Sequence, residues 1–247
     1  MACEFSDLIE QTNGHVYFSP DAGHIAMAAG SRIYVRDSHT LAITNIFVCL
    51  DRAEKIEWSR DSAYILCGMY TRSTVQVFSL ADADWKCKIN EGIGGLVSAK
   101  WTPDSRHIIT ESDFGIQLTV WSLFDGTSML IANPKQVIGE KGSSGMMIAF
   151  SDCDRFLAVG HRIDLQDFIS VISMDVGEWT ELSKFKCKGG GNDLVSLQWT
   201  PNGAFIVAVD SHLQYKLCVY TPSGELVTAY EAYQNALGNF LKYSILF

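Results

Sequence analysis

The chain is poor in proline, with 5 in 247 residues, and poor in positive charge, with 19 Lys plus Arg against 28 Asp plus Glu. It has no amphipathic stretch of helical period longer than a turn or two, which excludes a helical bundle and leaves an all-β class. A net charge of −9 argues against a nucleic-acid partner, because backbone binding needs clustered cations to displace counterions. The densest basic feature, Lys184, Lys186 and Lys188, has Glu178 and Glu181 nearby and reads as a solvated outer strand. No apolar segment approaches the roughly 20 residues of a membrane span. The start, Met1-Ala2-Cys3-Glu4-Phe5-Ser6-Asp7, is acidic where a signal peptide needs a basic residue. The expectation is a cytosolic or nuclear protein with no membrane contact.

Cysteine pairs close in sequence are also missing. Cys3, Cys49, Cys67, Cys87, Cys153, Cys187 and Cys218 are scattered, and an odd number in a reducing compartment reads as small buried hydrophobes without a disulfide framework. Nor is there a catalytic constellation, a metal site or a cofactor motif. His24 and His107 each fall three residues after a turn Asp, where other copies of the same phrase carry Tyr64 and Phe205, so they read as packing. His15, His39, His161 and His212 lie near turns, without metal-type spacing. Gly189-Gly190-Gly191 lacks the Gly-Lys-Ser/Thr ending of a phosphate loop and precedes a strand, so it reads as a flexible connection. Asp82, Asp84, Asp164 and Asp167 are expected in exposed hairpin tips.

What the chain does have is a phrase repeated five times: an aromatic residue, Ser or Thr, a turn rich in Pro, Asp and Gly, then an apolar run. It reads Phe18-Ser19-Pro20-Asp21, Trp58-Ser59-Arg60-Asp61, Trp101-Thr102-Pro103-Asp104, Phe150-Ser151-Asp152-Cys153 and Trp199-Thr200-Pro201-Asn202. The copies lie about 40 to 49 residues apart, the period of a β-propeller blade. After each turn a strand is predicted, at Ile25–Ala29, Ile65–Met69, Ile108–Glu111, Phe156–Gly160 and Phe205–Val209. A second apolar strand follows and ends in Val35-Arg36-Asp37, Val77-Phe78-Ser79, Val120-Trp121-Ser122, Val171-Ile172-Ser173 or Val219-Tyr220-Thr221. These endings resemble the Val-Trp-Asp close of a WD repeat with the dipeptide eroded.

A longer internal match supports the repeat. Lys86-Cys87-Lys88, Leu96-Val97-Ser98 and Trp101-Thr102-Pro103 recur as Lys186-Cys187-Lys188, Leu194-Val195-Ser196 and Trp199-Thr200-Pro201, with glycines between in both copies. Trp85 and Trp179 stand just before the outermost strands of their blades, outside the repeated positions, and are candidate partner contacts because aromatic anchors are enriched in interfaces. The competing reading is that each covers the rim of its own blade.

Cys49-Leu50-Asp51, Ile56-Glu57-Trp58-Ser59, Asp61-Ser62, Ile65-Leu66-Cys67, Met69-Tyr70, Val75-Gln76-Val77, Trp85-Lys86-Cys87-Lys88-Ile89 and Glu91-Gly92 carry a more specific likeness. With Thr119 to Leu123, Pro201-Asn202-Gly203 and Tyr215-Lys216, the chain from about Phe5 to Gly238 resembles the centrosomal and spindle-pole WD-repeat family encoded antisense to a p53-family gene in vertebrates. The resemblance implies a non-enzymatic scaffold at the centrosome or microtubule-organising centre. It would bind a coiled-coil anchoring protein, tether microtubule minus ends, and support spindle assembly and ciliogenesis. Tubulin contact would be indirect, since both surfaces are acidic.

The resemblance also implies an incomplete seven-bladed ring: five recognisable blades over residues 1–238, then a divergent apolar tail over 239–247 where a further phrase is expected. That tail looks like a splice variant, frameshift or gene-model artefact. Open blade faces would leave such a product poorly stable alone, unless it closes as five blades with Glu4 to Ile9 supplying a strand. Two other functional classes are weighed. One is a translation-factor-like or general signalling adaptor. The other is a propeller hydrolase, disfavoured because the innermost strands, taken as those like Ile25–Ala29, are apolar.

Overall fold

The computed structural model describes residues 9, 11–12, 14–138, 144–175, 179–187, 193–210 and 216–231. Glycines 189–191, His212, the proposed strand from Glu4 and the tail from 239 onward lie outside them. Among the described residues the regular structure is β, broken only by short 3-10 turns at Tyr70–Arg72, Gly92–Gly94 and Asp113–Gly115. No described helix is long and apolar enough to cross a membrane.

Five antiparallel four-stranded sheets follow one another along the chain, each with strands in sequence order. Blade 1 is β1 (Val16–Phe18), β2 (His24–Ala29), β3 (Arg32–Asp37) and β4 (Ile43–Val48). Blade 2 is β5 (Lys55–Trp58), β6 (Tyr64–Met69), β7 (Thr74–Ser79) and β8 (Lys86–Asn90). Blade 3 is β9 (Ser98–Trp101), β10 (His107–Glu111), β11 (Gln117–Ser122) and β12 (Ser128–Ala132). A two-stranded hairpin, β13 (Gln136–Ile138) with β14 (Ser144–Met146), comes next and is not foreseen by the repeat. Blade 4 is β15 (Ile148–Phe150), β16 (Phe156–Ile163), β17 (Gln166–Ser173) and β18 (Thr180–Lys186). Blade 5 is β19 (Ser196–Trp199), β20 (Ile206–Val209), β21 (Lys216–Tyr220) and β22 (Leu226–Glu231).

The chain divides into two compact units, Met1–Phe114 with Leu118–Leu130, and Gly115–Gln117 with Ile131–Phe247. In the first unit one core cluster gathers Ile33, Val35 and Phe47 of blade 1 with Trp58, Ile65 and Cys67 of blade 2. A second gathers Leu66, Val75 and Val77 of blade 2 with Ala99, Trp101 and Ile108 of blade 3. In the other unit, Ala158, Ile169 and Val171 pack with Leu197, Trp199 and Ile206. The core therefore sits between sheets. That is why second strands such as β6 and β16 are buried almost throughout, while outer strands bury little more than Phe47, Ile89 or Ile131.

The repeated phrase is a hydrogen-bonded turn built around its hydroxyl. Ser19 Oγ donates to Asp21 at 2.5 Å and accepts from the His24 N–H at 2.9 Å. Ser59 does the same with Asp61 at 2.6 Å and the Tyr64 N–H at 2.9 Å, and Thr200 with Asn202 at 2.7 Å and the Phe205 N–H at 3.1 Å. A Ser or Thr followed two residues later by Asp or Asn thus closes the turn locally. The turn needs a left-handed residue, supplied by Ala22, Ser62, Ser105, Asp154 and Gly203. Neighbouring turns are linked as well: the Asp21 N–H donates to Ser62 Oγ and the Asp61 N–H to Ser105 Oγ, both at 3.1 Å.

Two expectations are corrected here. Strands such as Ile25–Ala29 lie second in their sheets, not at an edge; the edge beside them is the strand ending in the aromatic residue, and the fourth strand forms the other edge. In blades 2 and 3 that strand carries Lys55, Glu57 and Lys100. Lys55 Nζ lies 2.7 Å from Glu57 and donates to the Ala99 carbonyl at 2.8 Å. The apolar character invoked against a channel hydrolase therefore belongs to a different strand. The second correction concerns Asp167, which is buried in β17 rather than exposed at a hairpin tip, because a lysine distant in sequence neutralises it.

Candidate interaction surface

Histidines at the phrase position act as packing groups. His24 lies 6.4 Å from the Trp58 ring of the next blade, and Phe156, at the equivalent position, lies 5.9 Å from Trp199. Tyr64 does the same with Trp101 at 6.1 Å. His107 adds a bond to Asp104, 2.7 Å from Nδ1. Burial opposes ionisation of the Asp104 carboxyl, but hydrogen bonds from His107, Thr102 and the Arg106 N–H outweigh it and hold the pKa down at about 2. His161 sits inside β16, with Nε2 2.6 Å from Ser170 Oγ and Nδ1 2.9 Å from the Ala132 carbonyl. Burial lowers its pKa. Among the described residues no group of three or more His, Cys, Asp or Glu side chains could hold a metal.

Buried Lys135 and Asp167 are bound to each other, with the exposed Asp193 and Arg162 beside them. Lys135 Nζ lies 2.6 Å from Asp167 and 2.8 Å from Asp193, while Arg162 Nη1 lies 2.9 Å from Asp193. The Leu194 N–H donates to Asp167 at 2.5 Å. This network ties the segment before β13 to β17 and to the approach to β19, and its partners are too far apart in sequence to form a motif. In blade 3 a smaller network joins Trp121 Nε1 to Glu91 at 2.9 Å and to Thr110 Oγ1 at 2.8 Å. The same joint one blade earlier contains Cys49 and Cys67, whose sulfurs lie 3.4 Å apart. Cysteines distant in sequence are therefore neighbours in space. The expectation of burial fails for Cys153, which is exposed, and holds only partly for Cys87 and Cys187.

Trp85 and Trp179 do precede outer strands, β8 and β18, and both are half-buried. Trp85 packs on Tyr64 at 5.2 Å and joins the core cluster of blades 2 and 3, so part of its ring covers its own blade. Asp82 and Asp84 beside it are exposed, and the Asp84 N–H donates to Asp82 Oδ1 at 3.0 Å. More fully presented to solvent are Phe114, 83% exposed at a left-handed φ of 61°, and Ile43, Ile46 and Val48 of β4. Phe114 leaves no trace in the repeat because hairpin tips vary in length and sequence between blades.

No protein-family model matches the chain. It is 39% identical over 221 residues to the WD repeat-containing protein WRAP73 of Mus musculus, a match covering 90% of this chain and 46% of that protein. It is 20% identical over 212 residues to an uncharacterized WD repeat-containing protein of Schizosaccharomyces pombe, covering 83% of this chain and 42% of the yeast protein. The chain thus spans less than half the length of either relative. Eroded Val-Trp-Asp endings, five four-stranded blades and the similarity along nine-tenths of its length make this chain a WD-repeat protein of β-propeller type.

Proposed function

We propose that the chain is a non-enzymatic interaction scaffold of the centrosome and spindle pole, helping to anchor microtubule minus ends through a coiled-coil partner. In that role it supports spindle assembly and ciliogenesis. The observation that carries this reading is the 39% identity to a WD repeat-containing protein, taken together with the family resemblance of the residues from Cys49 to Gly92. Propeller blades suit the role, since rigid sheets hold exposed loops and edges on which a helix or peptide docks. Trp85 and Trp179 are the proposed anchors. With a net charge of −9 the chain reaches tubulin through its partner and not by charge.

A tagged copy expressed in dividing cells is expected at pericentriolar foci, and its purification is expected to recover a coiled-coil centrosomal protein. Recovery is expected to drop at least about tenfold in Trp85→Ala or Trp179→Ala, as for an aromatic hot spot, with the melting temperature as the control for rim packing. A diffuse or polysomal signal would favour a translation-factor-like or signalling adaptor instead. Purified protein is expected to stay in the supernatant with microtubules at physiological salt.

A further inference from the structure

The outer strand β4 differs from the other outer strands. Along its outward face Ile46 is 54% exposed, Val48 is 65% and the following Leu50 is 49%. The opposite face holds Phe47, stacked on Phe78 at 4.9 Å, and Asn45, whose side-chain N–H donates to the Leu80 carbonyl at 3.2 Å. From Thr40 to Leu50 there is no charged residue and no proline.

Such edges are normally blunted by charge or proline. The outward residues of β8 are Lys86, Lys88 and Asn90, and β18 carries Glu181, Lys184 and Lys186. β22 is bracketed by Glu225 and Glu231, and the uncharged β12 runs directly into Asn133-Pro134. β4 has none of these guards.

Among the described residues no strand pairs with the far edge of β4, and that edge is correctly presented for pairing. The Cys49 N–H donates inward to the Ser31 carbonyl at 2.8 Å. Peptide groups of an antiparallel strand alternate in direction, so those of Asn45 and Phe47 also face β3, while those of Ile46 and Val48 face outward. A bulge places Thr44 as an extra residue between the pairs Asn45 with Val35 and Ile43 with Arg36. This bends the strand at its start and leaves Asn45 to Val48 regular.

We infer that β4 is a self-association edge, pairing antiparallel with β4 of a second copy. With Phe47 opposite its own symmetry mate, Ile46 of each chain faces Val48 of the other, and each such pair exchanges both main-chain hydrogen bonds. β-branched residues then meet on the outward face, a favourable cross-strand combination. In that register Asp51 and Arg52 lie opposite Ile43 and Ala42, so no charge meets its like. A second copy is the occupant because the strand is neutral and complementary to itself, whereas β8, β18 and β22 would each bring like charges together.

Light scattering after size exclusion on the full chain, across a hundredfold concentration range, reads the oligomeric state. A dimer is expected, with Kd weakened at least tenfold by Val48→Lys and by Ile46→Pro, the second of which removes an outward N–H and leaves the bonds to β3 intact. Lys88→Glu on β8 is expected to change nothing. Hydrogen exchange of the Ile46 and Val48 amides is expected to slow as concentration rises, a change that contact through side chains alone would not produce. A monomer throughout, or a dimer indifferent to both β4 variants with unprotected amides, would overturn the inference.

Discussion

The indole N–H of Trp58 donates to the main-chain carbonyl of Tyr17 at 3.0 Å, so the aromatic residue of one repeat phrase is bonded to the residue just before the aromatic of the preceding phrase. The same bond joins Trp101 to Glu57 at 3.2 Å and Trp199 to Ala149 at 3.0 Å. Repetition of the phrase is thus repetition of a joint between blades. Trp58→Phe is expected to cost about 0.5–1.5 kcal/mol by removing this hydrogen bond, and Trp58→Ala about 3–5 kcal/mol. Phe18 occupies the equivalent position in blade 1 but is 63% exposed, so Phe18→Ala is expected within about 0.5 kcal/mol of the parent. Urea unfolding midpoints test this ranking; equal losses at 18 and 58 would contradict it.

Asp104 makes stability fall at low pH. Its folded pKa of about 2 lies below the ordinary 3.8, so its stabilising contribution is complete above about pH 4 and disappears as pH falls through 2. Allowing for partial solvent screening, the loss is about 1 to 2 kcal/mol. Asp104→Asn should flatten the stability profile between pH 4 and 2, measured by thermal melts at each pH; an unchanged slope would assign the acid sensitivity elsewhere.

Removing Lys135 leaves the buried Asp167 only the Leu194 N–H and the more distant Arg162 guanidinium, 3.7 Å away. Lys135→Met is expected to destabilise by about 3–5 kcal/mol, because Asp167 has a fully buried carboxylate. The double variant Lys135→Met with Asp167→Leu should recover much of that loss, since a buried pair is often replaceable by apolar residues. Calorimetry of the two variants decides it: additive losses would mean that the pair is not coupled.

Thiol reactivity is expected to divide by site. The Ser151 hydroxyl, with the Arg155 N–H, lowers the Cys153 pKa at an exposed position, which raises its thiolate fraction at neutral pH. Cys67 is pushed in the opposite direction by its contact with Cys49 and by burial. Brief alkylation of the folded protein at pH 7.5 followed by peptide mass mapping should label Cys153 well before Cys49, Cys67 or Cys218. Early labelling of Cys67 would mean that the joint between blades 1 and 2 opens readily.

Much of the fold is legible in the sequence because the blade is a local object. A hydroxyl and, two positions on, an Asp or Asn close the turn by their own hydrogen bonds in blades 1, 2, 3 and 5, and the apolar strand after it starts within a residue of its expected position in every blade. The histidines of the phrase are legible for the same reason, since their equivalence to Tyr64 and Phe205 reveals a packing role.

Other features depend on distances in space that no spacing in the chain records. Lys135 and Asp167 are 32 positions apart, so burial and neutralisation of that Asp were decided by two segments meeting. Cys49 meets Cys67 because β4 lies against the sheet of blade 2. The sequence does show β4 to be uncharged, but period-two alternation does not say which strand lies at an edge. Only hydrogen-bond pairing, with the Cys49 amide turned inward and those of Ile46 and Val48 turned outward, decided that this neutral strand is an open edge. The sequence alone determined the repeat, the turns and the class of fold, because these are set by contacts a few residues long; tertiary structure decided which charges are buried and which strand is left unpaired, because both depend on what another part of the chain covers.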